Sequence, residues 1–167
     1  MFLDEAGFSL SLSLPYGWGK RGMPLVESVP SRRGKNLSVL GAIDVEGVVA
    51  HTSKEGAMTR ADVEWFFRRD LLPRLLPGAV LVLDNASIHK GGQIERLARR
   101  AGCRVMYLPP YSPDLNPIEM IWSFVKRLVR REGPRDEASR RTAVASGLAS
   151  VTAELAISCF RHCAYCQ

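Results

Sequence analysis

The stretch AVLVLD at residues 79–84 is an uninterrupted apolar run that ends at an acidic residue. Continuous aliphatic runs are typical of strands buried on both faces, such as those at the centre of a parallel sheet. Apolar residues with helical spacing follow at 94–98, and a second short strand is predicted over 104–108. The order strand, helix, strand predicts a parallel pair joined by a crossover, and therefore an α/β fold.

The residues before this stretch carry the pattern of antiparallel strands. Short strands are predicted over 2–3 and over 8–14, where apolar residues alternate with serine. A hairpin is predicted from strands over 36–45 and 48–52, which a Glu-Gly turn separates. The Pro- and Gly-rich residues 15–24 predict a loop between the two sets of strands.

Helical patterns occupy most of the remaining chain. Thr59 is the predicted N-cap of a helix that Pro73 ends. Asn116 is the predicted N-cap of a long helix near the C-terminal side, and residues from about 136 onward predict two more helical pieces. The whole layout predicts a mixed α/β fold in a single domain that spans residues 1–167.

Composition and charge restrict the partners of the chain. The 167 residues carry 23 Lys and Arg against 17 Asp and Glu, a net charge of +6. Most of the basic residues are arginine, which favours phosphate-bearing partners. No apolar stretch reaches the roughly 18 residues that span a bilayer, and the N-terminus lacks the basic region of a signal peptide. We therefore expect a cytoplasmic protein with no membrane partner.

Two of the predicted strands lead directly into aspartates, Asp4 and Asp84. Ligand sites in α/β sheets form at the carboxyl ends of strands, so neighbouring strands would bring the two side chains together. Two adjacent carboxylates repel each other when ionised and therefore favour a bound cation. Oxygen ligands alone suit Mg²⁺ or Mn²⁺ better than zinc. Asp4 as a surface residue, and Asp84 with Asn85 as a simple turn, are the alternatives.

Glu119 is the candidate third carboxylate, in the first turn of the long helix. Three carboxylates that hold two divalent ions would support an in-line phosphoryl transfer. The alternative is structural, because Glu119 is also the third helical residue after Asn116, where glutamate stabilises a helix by reciprocal capping and through the dipole. Asp114, in the preceding proline-rich loop, is predicted to form a turn rather than to bind a ligand.

Basic residues form two candidate DNA-binding tracks. Glu119 shares a helix face with Ser123 and with part of a basic run, which would align a metal ligand with contacts to a DNA backbone. A solvated helix face and a solvated hairpin loop are the respective alternatives. The predicted DNA contacts are Lys126, Arg127 and Arg130 on the helix, and Lys20, Arg21, Arg32, Arg33 and Lys35 in the loop; the helical run continues through Arg131, Arg135, Arg140 and Arg141.

Three further motifs have less specific patterns. His89 follows Asp84 by five residues, either near the site or as a loop or helix-cap hydrogen-bonding residue. Residues 17–22 fit a dinucleotide-binding motif by letter, but the prolines that follow exclude the required helix. The C-terminal residues 159–166 contain three cysteines and a histidine, either a zinc site or buried thiols, and do not resemble a disulfide framework.

Two long motifs resemble the DDE catalytic domain of mariner-superfamily transposases, and most closely that of the bacterial insertion sequence 630 family. They are LDNASIHK at residues 83–90 and LPPYSPDLNPIE at 108–119, followed by Trp122. FLDEAGF at 2–8 is similar to the first catalytic segment of that family, and residues 160–165 are similar to its C-terminal helix. The resemblance covers nearly the whole chain.

This resemblance implies an RNase H-like fold with a central five-stranded mixed sheet flanked by helices. It implies that Asp4, Asp84 and Glu119 are the catalytic residues and hold two Mg²⁺ (or Mn²⁺) ions. It further implies hydrolytic nicking at transposon ends, followed by attack of the freed 3′-hydroxyl on target DNA, in cut-and-paste transposition. The partners implied are DNA and a second copy in a homodimer, on the nucleoid of a bacterial cell, with a TA dinucleotide as target.

The family normally carries an N-terminal helix-turn-helix region, which these 167 residues do not contain. We therefore expect one of two situations. In the first, a separately encoded helix-turn-helix partner delivers this domain to DNA. In the second, the chain is a catalytically silent remnant that binds DNA or an intact transposase.

Overall fold

A five-stranded mixed sheet forms the centre of the chain in a computed structural model that describes residues 1–12, 18–24, 26 and 34–166. The order across the sheet is β3-β2-β1-β4-β5. β1 to β3 are antiparallel, and β4 runs parallel to both β1 and β5, which confirms the predicted crossover. The strands are β1 (Phe2–Phe8), β2 (Leu37–Asp44), β3 (Gly47–Glu55), β4 (Val80–Leu83) and β5 (Arg104–Tyr107).

Five α-helices are found in the described residues and cover both faces of the sheet. They are α1 (Arg60–Phe66), α2 (Gln93–Arg100), α3 (Pro117–Glu132), α4 (Glu137–Ala149) and α5 (Ala153–His162). A π-helical turn and a 3-10 turn extend α1 to Arg74. Thr59 and Asp62 cap α1 reciprocally, which confirms the predicted start of that helix.

The sheet has a hydrophobic core on each face because side chains alternate along its strands. Leu3, Leu81 and Leu83 point to the face that α1 and α2 cover. Phe2 and Phe8 point to the opposite face, where α3, α4 and α5 pack. Asp4 lies between Phe2 and Ala6 in the alternation, so its side chain faces α3.

A tryptophan of α3 fixes the distance between this helix and the sheet. A Cβ atom added to Gly41 of β2 would lie 2.7 Å from Cη2 of Trp122, so only glycine fits beneath the indole ring. Gly41 pairs with Asp4 across the β1–β2 ladder. Trp122 therefore packs on the sheet beside Asp4.

A buried arginine connects α4 to the ends of two strands. Arg140 is fully buried, donates to the carbonyl oxygens of Phe8 and Lys35, and forms a 2.8 Å ion pair with Glu55. Arg141 forms a second ion pair with Glu55 at 3.1 Å. The prediction that Arg140 and Arg141 extend a DNA-binding run is therefore wrong for Arg140, whose guanidinium is enclosed by protein groups.

The N-terminal strand differs from its prediction in two respects. β1 runs unbroken from Phe2 to Phe8, so Asp4 lies inside a strand rather than at its end. Within its described part, the predicted strand over 8–14 is wrong after Phe8, because the chain turns at Leu10 and Ser11 and the Ser9 hydroxyl forms a 2.8 Å hydrogen bond with that of Ser11. Serine hydroxyls that bond nearby groups compete with a strand ladder. Residues 13–17 lie outside the described residues.

No single helix among the described residues is long and apolar enough to cross a membrane. Only α4 and α5 taken together meet the length and composition of a span, and they are bent by 79° at the break between them. Both helices contribute buried residues to the core beneath α3, among them Val144 and Phe160.

Candidate active site at the carboxyl end of β4

The register of the parallel pair brings the two aspartates together. Phe2 pairs with Val82 and Leu3 with Leu83, so the next positions in the same register are Asp4 and Asp84. Neighbouring strands lie about 4.8 Å apart, and both residues follow leucines that face α1 and α2, so both side chains point to the α3 face. Asp4 and Asp84, which are far apart in the chain, thus lie side by side in one cleft.

Asp4 is nearly enclosed, with 6% of its surface exposed. Its Oδ1 accepts a hydrogen bond from the backbone N–H of Glu5 at 2.7 Å, and its Oδ2 accepts one from Nδ2 of Asn116 at 3.1 Å. Burial raises the pKa of Asp4 to about 7 against the opposing effect of the Glu5 N–H, and the negative charges of Glu119 and Asp84 add to the rise. Asp4 is therefore within electrostatic reach of the other two carboxylates.

Asp84 is more open to solvent than Asp4 and is held through one oxygen. Its Oδ1 accepts hydrogen bonds from the backbone N–H of Ala86 at 3.0 Å and from Nδ1 of His89 at 2.6 Å. Partial burial acts to raise the pKa of Asp84, but the bonds from His89 and Ala86, with the nearby charge of Lys90, hold it below its usual value. Asp84 is therefore a carboxylate at neutral pH. Within the described residues its Oδ2 has no hydrogen-bond donor.

His89 lies beneath Asp84 and is 2% exposed. Because a carboxylate can only accept, Nδ1 of His89 carries the shared proton. The backbone carbonyl of His89 accepts a hydrogen bond from the Tyr107 hydroxyl at 3.0 Å, and that hydroxyl also lies 2.6 Å from Oε1 of Glu95. Of the two roles predicted for His89, the structure shows a hydrogen bond within the site, to Asp84 itself.

Asn116 has a different partner from the predicted one. It occupies the N-cap position of α3, but its side chain makes no capping hydrogen bond and instead reaches Asp4. The reciprocal bonds of a capping box, which α1 and α4 both have, are thus missing at the start of α3. The capping alternative for Glu119 therefore finds no support in this geometry.

The three carboxylates line one open cleft of about 520 Å³. Glu119 is exposed and also lines a second cavity of about 430 Å³ between α3 and α5. Other residues of the first cleft are Asn85, Lys90, Leu108, Tyr111, Ser112 and Asn116. The proline-rich loop after β5 thus forms a wall of the site.

No three His, Cys, Asp or Glu side chains in the described part of the chain are arranged closely enough to hold a metal ion as they stand. Coordination by Asp4, Asp84 and Glu119 would therefore require their side chains to come closer together. At the C-terminal end, Cys159 and Cys163 are buried free thiols that line the second cavity.

The predicted DNA contacts fall in different environments. Lys20, Arg21 and Lys35 are exposed, whereas Arg32 and Arg33 lie outside the described residues. On α3, Arg127 is exposed and lines the second cavity with Glu119 and Ser123. Lys126 lies with its Nζ 5.9 Å from the Phe8 ring, and Arg130 is half-buried. Arg127 is therefore the basic residue of α3 that shares a cavity with Glu119.

Sequence reasoning missed two contributors to the cleft, Lys90 and Tyr111, and assigned Asn116 another partner. All three stand in the two long motifs, so the motif residues between the carboxylates were the available signal. Their contacts depend on how the loops after β4 and β5 fold over the sheet edge.

Comparisons with known proteins agree with this geometry. A sequence profile described as DDE superfamily endonuclease matches residues 1–140. An uncharacterized protein of Sinorhizobium fredii, y4pE/y4sA, is 42% identical over 48 residues, which are 29% of this chain and 33% of that protein. The chain therefore spans about a third of the curated relative.

Solved structures share the fold at low sequence identity. A Mos1 transposase paired-end complex with the left transposon end matches 97% of this chain and 51% of its own with a TM-score of 0.78 at 18% identity. The Mos1 strand transfer complex gives 0.74 at 18%, over 97% of this chain and 50% of that one. The catalytic domain of Mos1 mariner transposase gives 0.67 at 15%, over 97% and 76%. These matches confirm the RNase H-like fold.

Proposed function

This chain belongs to the DDE superfamily endonuclease family, and we propose that it is the catalytic domain that cuts and joins DNA in transposition. The observation that carries the proposal is the meeting of Asp4, Asp84 and Glu119 in one cleft. In the first step, water would hydrolyse a phosphodiester bond at the end of a mobile element. In the second, the freed 3′-hydroxyl would attack a phosphodiester of the target and displace its 3′-oxygen.

Two Mg²⁺ or Mn²⁺ ions are the cofactors we propose, held by Asp4, Asp84 and Glu119. The fit rests on chemistry: all three donors are carboxylates, and the pKa of Asp4 is raised in part by the charges of the other two, which a cation would offset. When bound, such ions supply positive charge to the phosphoryl group under attack. Mos1 paired-end complexes have been solved with Mg and with Mn.

Neighbouring residues bind two of these three carboxylates. Asn116 binds one oxygen of Asp4, and His89 binds one oxygen of Asp84, which leaves Asp84 Oδ2 without a hydrogen-bond donor in the described residues. Glu119 is carried by the first turn of α3, whose distance from the sheet Trp122 fixes. The site is thus built on rigid elements, as positioning for an in-line displacement requires.

The direct test is cleavage of supercoiled plasmid by the purified chain with Mg²⁺ or Mn²⁺. We expect nicking that EDTA abolishes and that is lost in Asp84→Asn. The matched control is Glu46→Gln, which removes one negative charge from an exposed turn far along the sheet. Unchanged nicking in Asp84→Asn would contradict the proposal.

The same experiment separates the alternative function. A catalytically silent remnant would bind DNA in a salt-sensitive way without cutting it, and its affinity would not change when the carboxylates are removed. Retained binding with no metal-dependent nicking in the wild-type chain would support that alternative.

Finer assignments are also proposals. The two long motifs support membership of the insertion sequence 630 family, and the net charge of +6 supports association with the bacterial nucleoid. We propose that the chain acts as a homodimer on transposon ends and a TA target, with a helix-turn-helix region supplied by a partner. Size-exclusion chromatography of the chain with terminal-repeat DNA, with and without a co-expressed helix-turn-helix protein, tests both partners.

A further inference from the structure

We propose that Tyr111 is a stacking platform for a nucleobase of the DNA strand held over the carboxylates, and that Lys90 binds a phosphate of the same strand. Both residues line the cleft that contains Asp4, Asp84 and Glu119. The inference rests on the proposed function, which it deepens by naming residues that place the substrate strand.

The backbone of Tyr111 is strained. Pro110 and Tyr111 form a turn, and the φ angle of Tyr111 is 56°, in the left-handed region. In a turn with proline before it, a position with positive φ favours glycine or asparagine, because a bulky side chain is costly there. A tyrosine at this position therefore opposes the local preference of the chain.

Within the described part of the chain, the side chain of Tyr111 makes no stabilising contact that would offset this strain. It is fully exposed, at 102% of its reference surface. Within the described part of the chain its hydroxyl makes no hydrogen bond and its ring contacts no other ring or cation. Strained residues that persist without structural benefit are concentrated at ligand sites. The ring is thus available to a partner outside the chain.

The position of Tyr111 along the sheet identifies this partner as a nucleic acid strand. Asp4, Asp84 and the loop after β5 follow one another across adjacent strands β1, β4 and β5. A DNA strand whose scissile phosphate lies at the carboxylates would therefore place its neighbouring nucleotides next to the loop after β5. Every base has a flat π-face, so an exposed aromatic ring binds bases without regard to sequence.

Lys90 supplies a positive charge at the same cleft. It is exposed and follows directly on the turn Ser87–His89, which Arg60 holds through a 3.1 Å hydrogen bond to the Ser87 carbonyl. Its charge reaches Asp84, whose pKa it helps to lower. An exposed ammonium group at the margin of the cleft can hold the phosphate backbone that flanks the scissile bond.

The test compares variants made in the Asp84→Asn background, which keeps the DNA intact. Tyr111→Gly relieves the backbone strain while it removes the ring, and Tyr111→Phe keeps the ring. The probe is a short fluorescein-labelled single-stranded oligonucleotide, with binding followed by fluorescence anisotropy in Mg²⁺ buffer. A melting temperature for Tyr111→Gly at or above that of its parent shows that any loss of binding is not a loss of folding.

We expect Tyr111→Gly to weaken binding about 5- to 150-fold, the range that one stacked base contributes, and Tyr111→Phe to bind within about twofold of the parent. An oligonucleotide with an abasic site at the stacked position should weaken binding to the parent but not to Tyr111→Gly. Lys90→Gln should make the negative slope of log affinity against log salt concentration shallower by about 0.7, the value for one phosphate contact on a single strand.

Equal binding by Tyr111→Gly and its parent would overturn the stacking role, and an unchanged salt slope in Lys90→Gln would overturn the phosphate contact. Either result leaves the proposed function standing if the wild-type chain still nicks plasmid DNA. A wild-type chain that neither binds DNA nor nicks it would instead remove the proposed function itself.

Discussion

Among single residues, Asp4 shows most clearly the conflict between stability and function. Its pKa is about 7 in the folded chain and 3.8 in its ordinary state, so the folded chain holds a proton that the unfolded chain releases between these pH values. The stability of the metal-free chain therefore falls as pH rises from about 4 to 7, by roughly 2–4 kcal/mol from this group alone. A buried carboxylate that binds no cation is a cost to the fold.

Asp4→Asn should remove this loss of stability and should also abolish DNA nicking. At pH 8 in EDTA we expect the variant to be more stable than wild type, and at pH 4 to show little or no advantage. Asn116 Oδ1 is buried without a partner in the described residues, and rotation of its amide lets it accept a hydrogen bond from the new side chain. Urea unfolding at the two pH values, with Glu46→Gln as control, measures the difference. A less stable Asp4→Asn at pH 8 would contradict the electrostatic account.

His89 is a positioning residue for Asp84, through the 2.6 Å bond from its Nδ1. His89→Ala should lower the nicking rate and raise the Mn²⁺ concentration needed for half-maximal rate by about 10- to 100-fold, as for other residues that orient metal ligands. His89→Asn places an amide N–H near the former Nδ1 and should recover part of both. Equal defects in His89→Ala and His89→Asn would indicate a purely structural role.

At the level of secondary structure elements, Trp122 of α3 packs on Gly41 of β2 next to the candidate site. Gly41 pairs with Asp4 and lies beneath the Trp122 ring. Packing at Gly41 and the hydrogen bond from Asn116 to Asp4 both connect α3 with the sheet in this region. A change at Gly41 therefore tests whether the site depends on this spacing.

Gly41→Ala should destabilise the chain by about 1–3 kcal/mol and reduce nicking, because its Cβ would lie 2.7 Å from Trp122. Gly147→Ala in α4 is the matched control. Its Cβ would lie 3.0 Å from Val125, but alanine gains about 0.5–1 kcal/mol over glycine within a helix. Chemical denaturation and the plasmid assay measure both effects. Equal stability of the two variants would contradict the packing argument.

Helices and strands in this chain begin where predicted when a strong local signal, such as an apolar run or a capping box, marks them. The apolar run at 79–83 became β4 (Val80–Leu83), and the Thr59–Asp62 capping box starts α1 as predicted. The alternation failed over the described residues 9–12, because period two does not distinguish a strand from serines that bond their neighbours. The N-cap position of Asn116 was predicted, but its side chain serves Asp4, across a separation of 112 residues.

For the whole molecule, the single sheet supports two cores, and β1 and β2 contribute to both. Loss of either core exposes one face of the same strands, so we expect one cooperative unfolding transition. The candidate site lies over the middle strands of this sheet, on the face that α3 covers, with carboxylates from β1, the end of β4 and α3. A cation bound there would connect all three elements.

Mn²⁺ should therefore stabilise the wild-type chain as a whole. At a concentration about 100 times the dissociation constant, binding adds about 2.7 kcal/mol and raises the melting temperature by about 5–10 °C. Differential scanning calorimetry with Mn²⁺ and with EDTA checks this, with Glu46→Gln expected to behave as wild type and Asp84→Asn to shift much less. An identical shift in Asp84→Asn would show that the metal binds elsewhere.

The sequence by itself determined the strand–helix–strand order and the family resemblance, and it supplied Asp4, Asp84 and Glu119 as candidates, because these are carried by short runs of neighbouring residues. Only the tertiary structure decided that Asp4 lies inside β1 next to Asp84, that Asn116 and His89 each bind one of the two aspartates, and that Arg140 is buried. The physical reason is one of range: periodicity and capping act within a few residues, whereas register, burial and the partners of a buried polar group are set by segments that meet only when the sheet and α3 pack together.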